Sequence, residues 1–296
     1  MIGVDLGGTT ISFIDCRARN SVQARRTLPV PNNNDEIVSI IAKTVKELLE
    51  KGDEKPKGIG VAVAGQIEKD RRSVIFSPNL PFKEEFPLAE KLEDAIRLDV
   101  RLENDANSAA IGEKVFGEAV EMDDFISLTL GTGIGSGIFS GGRLLRGHDG
   151  GGAEAGHIVV NSEGPICGCG NFGCLEAYSS GKAIEGMAKE FTGRSMTARE
   201  ICEAAERGND DATALLNYAG ERLGDGLVTL INLFNPEAIF FCGSLASAPI
   251  DYFGPALEKG RMNSFGTTGE KLKIEVSEIS DMAGLLGAAS LFEADF

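Results

Sequence analysis

The chain has 296 residues, a net charge of −16 and a hydrophobic content of 42%, which fits one large globular domain or two of ordinary size. So acidic a protein is not expected to bind nucleic acid, which calls for a basic surface, whereas a phosphate-bearing small ligand remains compatible because backbone amides can hold it. No apolar run approaches the ~20 residues that span a bilayer, and no basic segment followed by an apolar core opens the chain, so no membrane partner and a cytoplasmic location are expected.

Ile2 to Leu6 reads as a short buried strand running into Gly7-Gly8, and Ile11 to Asp15 resumes as a strand, making a hairpin. A turn of this kind lets the amides at Gly7 and Gly8 approach an anion, with Thr9 and Thr10 adding hydroxyls. Asp5, at the strand end, is placed to face Mg2+. Ser21 to Val30 reads as a third strand. Asn34 is expected to cap a helix to Lys51 that ends at Gly52, with Ile37, Ile40, Ile41, Val45, Leu48 and Leu49 on one face. Gly58 to Gly65 is a nearly continuous apolar run, a strand buried on both faces, and Gly65 ends it where a loop meets a ligand. Ser77 to Pro81 is a rigid turn.

Leu88 to Ile96 reads as a helix and Asp99 to Leu102 as a strand, ending in Glu103-Asn104-Asp105-Ala106-Asn107. Polar residues at the C-terminal end of such a strand sit where open α/β sheets bind ligands. Asn104 or Asp105 equally reads as the cap of the helix that follows, Ala106 to Val115. Asp124 to Leu130 is a further strand, followed by Gly131-Thr132-Gly133-Ile134-Gly135-Ser136-Gly137 as a turn and a strand at Ile138-Phe139. This repeats the opening pattern, and Gly131, Thr132, Gly133 and Gly135 are candidates to cradle phosphates.

Between Gly151 and Glu176 lie His157, Cys167, Cys169 and Cys174, spaced H-x9-C-x-C-x4-C. Three thiolates and an imidazole match the closed tetrahedral shell of a structural zinc site; the alternative is a set of unmetallated thiols in a glycine-rich loop. Glu154 and Glu176 bracket the cluster without being needed for it. His157 is expected to open a short strand to Val160, and His148 to lie on the surface. Cys16, Cys202 and Cys242 sit among apolar neighbours as free thiols of a reducing compartment. Helices are expected over Ala183–Phe191, from a Thr197/Glu200 capping box, from Asp210 or Asp211 to about Phe234, and over Pro249–Arg261. Strands are expected at Ala238–Cys242 and Lys271–Val276, a turn at Gly243-Ser244-Leu245, and a small-residue helix over Ala283–Phe292.

G-A-E-A-G-H at Gly152–His157, C-G-C-G-N-F-G-C-L-E at Cys167–Glu176 and E-N-D-A-N at Glu103–Asn107 together resemble the signatures of the ROK family of sugar kinases and sugar-responsive repressors. The resemblance covers essentially the whole chain. It implies an α/β, two-domain actin-like, hexokinase-type (ribonuclease H-like) ATPase fold with a cleft between domains. The expected division is residues 1–107 and 108–282, with a C-terminal helix in 283–296 packing back on the first domain. It further implies ATP, Mg2+ and structural zinc as cofactors, Asp105 as general base, and Gly65, Asn79, Asn104, Asp105, Glu154, His157 and Glu176 as sugar contacts. Gly243 and Ser244 would hold adenosine. The family more often has Ile where Ala155 stands, Lys at Thr10 and Gly at Ser244. The implied reaction is phosphoryl transfer from ATP to the 6-hydroxyl of a hexose, glucose being favoured over fructose, mannose and the N-acetylated hexosamines. A sugar-sensing regulator is the rival; a first strand at Ile2 leaves no room ahead of it for a DNA-binding helix pair. A homodimer or homotetramer is expected.

Overall fold

The computed structural model describes residues 1–18, 21–51, 55–294 and 296. In chain order the strands and helices begin with β1 (Ile2–Leu6), β2 (Thr10–Ala18), β3 (Ser21–Pro29), α1 (Asn34–Glu50), β4 (Gly58–Val63), β5 (Gln66–Ile67) and β6 (Val74–Phe76). There follow α2 (Leu88–Ile96), β7 (Asp99–Asn104), α3 (Asp105–Phe116), β8 (Phe125–Leu130), β9 (Ile134–Ser140) and β10 (Arg143–Leu144). The chain continues with α4 (Glu176–Ser179), α5 (Gly181–Thr192), α6 (Ala198–Glu206), α7 (Asp210–Phe234), β11 (Ala238–Cys242), α8 (Ile250–Asn263), β12 (Lys273–Val276) and α9 (Ala283–Ala289). None of the helices among the described residues is long and apolar enough to cross a membrane.

The chain separates into two compact units. The first comprises Met1–Asp123, Gly137–Ala153 and Met282–Phe296; the second comprises Asp124–Ser136 and Glu154–Asp281. The first unit thus takes in α3 and the stretch that follows it to Asp123. The reason is packing: α3 lies against α9 so closely that a Cβ on Gly287 would stand 1.7 Å from the Ser108 carbonyl oxygen.

The sheet of the first unit has the order β3–β2–β1–β4–β7. Its first three strands form an antiparallel meander through the Gly7–Thr10 turn, and β4 and β7 continue it in parallel. Every residue of β4 is buried, as its unbroken apolar run requires of a strand covered on both faces. On one side α1 and α2 contribute Ile37, Ile41, Val45, Leu88 and Leu92 to a core with Val4, Leu6, Phe13, Val61 and Leu102. α9 covers β1 and β4, and its small residues are explained by contact: a Cβ on Gly60 would stand 1.7 Å from the carbonyl oxygen of Ala288. Asn33, one residue earlier than expected, caps α1 by accepting from the amides of Asp35 and Glu36; the expected helix end at Gly52 lies outside the described residues. A small hairpin of β5 and β6 follows β4, too short to show a period in sequence.

In the second unit β8, β11 and β12 are parallel neighbours. α7 packs along α8, where a Cβ on Gly220 would stand 2.1 Å from the Tyr252 carbonyl oxygen. The Thr197/Glu200 capping box opens α6. Two local expectations are corrected. β9 starts at Ile134, so Gly135 and Gly137 are strand residues, and Gly137 is packed 2.5 Å, measured from a hypothetical Cβ, from Ala110 Cβ. His157 ends a 3-10 turn (Ala155–His157), with Val159 making only an isolated bridge to Cys174.

Candidate functional site

In the first unit the ends of β1 and β7 bring Asp5 and Asp105 together. Burial, and secondly the charge on Asp105, push the Asp5 carboxyl up to about 7. Such a pair suits a hard divalent cation, which takes carboxylate oxygens and offsets the repulsion between them. Gly284, in the first turn of α9, borders this corner: a Cβ there would lie 4.0 Å from Asp5 Oδ2 and 3.7 Å from the Asp105 carbonyl oxygen, ordinary contact distances. Asp105 opens α3, and its Oδ1 accepts from its neighbour's amide, Ala106 N, at 3.0 Å and from Asn104 Nδ2 at 3.1 Å.

Asn104 is the cap of α3. Its Oδ1 accepts from the amides of Ala106 and Asn107, at 2.9 and 3.0 Å, while Nδ2 donates to the Gly65 carbonyl at 3.1 Å as well as to Asp105. Both ends of the amide are thus engaged within the protein. The capping reading of the motif holds for Asn104, and Gly65 enters the site through its carbonyl. Glu103, quoted in the motif without a role, is 2% exposed. Its Oε1 accepts from Asn104 N and Asn107 Nδ2, both at 3.1 Å, and its Oε2 from Arg146 Nε and Nη2 at 2.9 and 2.7 Å. Arg146 also donates to the Phe296 carbonyl at 2.6 Å. Two charge-assisted bonds from Arg146 to one oxygen of the buried Glu103 fix the loop that carries Asp105. No local signal marks Arg146, which is 43 residues away from its partner.

The two glycine turns use their amides alike. Gly7 N donates to the Thr10 carbonyl at 3.0 Å, and Gly131 N to the Gly133 carbonyl at 3.0 Å. In each case the first glycine closes the turn. The next two amides, of Gly8 and Thr9 and of Thr132 and Gly133, have no hydrogen-bond partner among the described residues. A pair of adjacent unpartnered amides is the donor set of an anion-binding concavity. Thr9, Thr10 and Thr132 are exposed. Asn79 packs on the first turn, 2.7 Å from where a Cβ on Gly8 would stand. The second turn has Ser244 for a neighbour, its Oγ 3.6 Å from a Cβ position on Gly131. Gly243 holds φ at 91° and donates to Ser280 Oγ at 3.1 Å, a backbone conformation that favours glycine.

In the second unit the donor atoms of His157, Cys167, Cys169 and Cys174 all lie within 4.8 Å of one another. Cys169 and Cys174 Sγ are 3.7 Å apart, and Cys167 Sγ is 3.6 Å from His157 Nδ1. A tetrahedral zinc ion with Zn–S near ~2.3 Å and Zn–N near ~2.0 Å has ligand edges of about 3.5–3.8 Å. The residues fit that ion in kind and in spacing. Burial raises the Cys167 and Cys174 thiols, while a backbone amide at Asn171 lowers Cys169, so metal binding would release protons. Glu154 reaches solvent, yet burial of its carboxyl raises its pKa; His157 pulls it down and Glu176 pushes it up. Those three side chains are therefore neighbours. Glu176 Oε2 accepts from Ile134 N at 2.9 Å, a contact the sequence did not announce.

Two α/β units, one with a carboxylate pair beside an amide-bearing turn and the other with a second such turn, describe a two-domain protein of the actin-like, hexokinase type, the fold of its solved neighbours. The profile of the ROK family matches residues 1–295, and the chain belongs to that family. It is 36% identical over 312 residues to the glucokinase of Thermotoga maritima, covering 99% of this chain and 97% of that one. A ROK family glucokinase from Streptomyces griseus, solved in complex with glucose and AMPPNP, is 33% identical, with a TM-score of 0.86 and 98% of each chain covered. The xylose repressor of Caldicellulosiruptor bescii is 31% identical over 318 residues, which span this whole chain and 78% of the repressor.

Proposed function

We propose that the chain is an ATP-dependent hexose kinase that transfers the γ-phosphoryl group to the 6-hydroxyl of glucose. The observation that carries this reading is the Asp5–Asp105 pair beside a turn with two unpartnered amides. Asp105 accepts the proton of the sugar hydroxyl as its oxygen attacks the γ-phosphorus and ADP leaves. The amides of Gly8, Thr9, Thr132 and Gly133 donate to the phosphates, and their fixed orientation stabilises charge on the transferred group without reorganisation. Mg2+, held at Asp5 directly or through water, would neutralise phosphate charge. Asn79, Glu154, His157 and Glu176 are assigned to the sugar hydroxyls, with Asn104 acting on the sugar through the loop it caps. His157, Cys167, Cys169 and Cys174 hold a structural zinc. Gly243 and Ser244 lie toward the adenosine.

Glucose is favoured by the likeness to the glucokinases of Thermotoga maritima and Streptomyces griseus. The likeness to a xylose repressor supports a second reading, a sugar sensor without turnover. Both are tested by measuring ADP formation with Mg-ATP and glucose, mannose, fructose, N-acetylglucosamine or N-acetylmannosamine, against a blank without sugar. Glucose is expected to give the highest kcat/KM. No ADP above the blank with any sugar, together with sugar-induced thermal stabilisation, would transfer the assignment to the sensor.

A further inference from the structure

Glu176 stands two residues beyond Cys174 and reaches in two directions. Oε1 is 3.8 Å from Cys167 Sγ, and Oε2 accepts from Ile134 N at 2.9 Å. A Cβ on Gly133 would stand 2.4 Å from Oε2, so the carboxylate lies directly against the second glycine turn. The segment that follows continues the contact: Gly181 N donates to the Gly131 carbonyl at 2.8 Å and Lys182 N to the Thr132 carbonyl at 3.3 Å. In a trans peptide the C=O and the next N–H point in opposite directions. Holding the carbonyls of Gly131 and Thr132 therefore turns the amides of Thr132 and Gly133 away from this segment. Those are the two amides of the turn that have no partner. The Ile134 amide, by contrast, is already committed to Glu176 and is not a phosphate donor.

We propose that Glu176 is a positioning residue for the second glycine turn, locking it with Thr132 N–H and Gly133 N–H presented to the nucleotide phosphates and tying that turn to the cysteine loop. This rests on reading the turn as a phosphate site. It is a role apart from any contact of Glu176 with sugar, and nucleotide binding without sugar separates the two.

The test is the Kd of Mg-AMPPNP, measured calorimetrically with no sugar present, for Glu176→Ala, Glu176→Asp and Glu176→Gln. Gln keeps an oxygen at the same reach for the Ile134 amide; Asp keeps the charge but withdraws the acceptor by one methylene. The expected order is near-native affinity for Gln and a loss on the order of tenfold for Ala and Asp, the size of one well-made hydrogen bond. Amide exchange at Ile134 should accelerate in the same two variants. Unchanged Kd in Asp and Ala, with only sugar affinity reduced, overturns the proposal; if Ala does not fold, Asp alone decides it. Gly133→Val serves as the control on the turn itself. If it too binds AMPPNP normally, the phosphate-site reading fails; if it binds poorly while Asp binds normally, only the role of Glu176 fails.

Discussion

Asp105 and Asp5 sit side by side, and loss of charge at each is predicted to show in a different measurement. Asp105→Asn should lower kcat by roughly 10²–10⁴-fold, the usual contribution of a positioned base, and leave the sugar Kd within a few-fold; a near-native kcat would remove Asp105 as the base. Asp5 is held at about 7, chiefly by burial and secondly by Asp105, against an ordinary 3.8. Between those two pH values the folded chain binds the proton more tightly than the unfolded one. Its contribution to stability is thus full below about 4 and falls as pH rises toward 7. Asp5→Asn removes that penalty. The ligand-free variant should be more stable than wild type by roughly 2–4 kcal/mol at pH 8 and no more stable at pH 3.5, by urea unfolding, while turnover with Mg-ATP is lost. A variant less stable than wild type at pH 8 contradicts this account of the carboxylate pair. Glu103 and Arg146 work at the same scale, by fixing the loop beneath Asp105.

Among the elements, the cysteine loop has little apolar interior: Cys169, Ile166 and Phe172 are exposed. An ion would supply what packing does not. Cys169→Ala should purify without zinc by metal analysis and show a lower Tm and weaker sugar binding; one zinc still tightly bound would refute the ligand set. What the sequence revealed and withheld follows from range. β4, α2 and β11 were legible because an unbroken apolar run or a 3.6-residue period is a local signal. The cysteines and His157 were legible because ligand spacing is local too. The start of β9 was misplaced because Gly135 and Gly137 imitate a turn, whereas at Gly137 glycine answers to α3 packed against it. The Glu103–Arg146 pair and the Glu176–Ile134 bond join residues 43 and 42 apart; nothing at either end betrays the other.

For the whole molecule, a net charge of −16 means that like charges repel throughout the folded state. The Tm of the ligand-free protein should rise by several degrees between roughly 0.01 and 0.5 M NaCl, as the screening length falls from about 30 Å to a few ångströms; a flat or falling Tm would show that local ion pairs outweigh the overall repulsion. The first unit is built from the start and the last stretch of the chain, with α9 seated where Gly60 has no side chain. On the ribosome β1, β4 and β7 are made long before α9 exists, roughly ten seconds or more at ~5–20 residues per second. The second unit, contained almost wholly in Glu154–Asp281, is finished first. The nascent sheet thus waits with one face uncovered, and the domain that begins the polypeptide is the one that matures last.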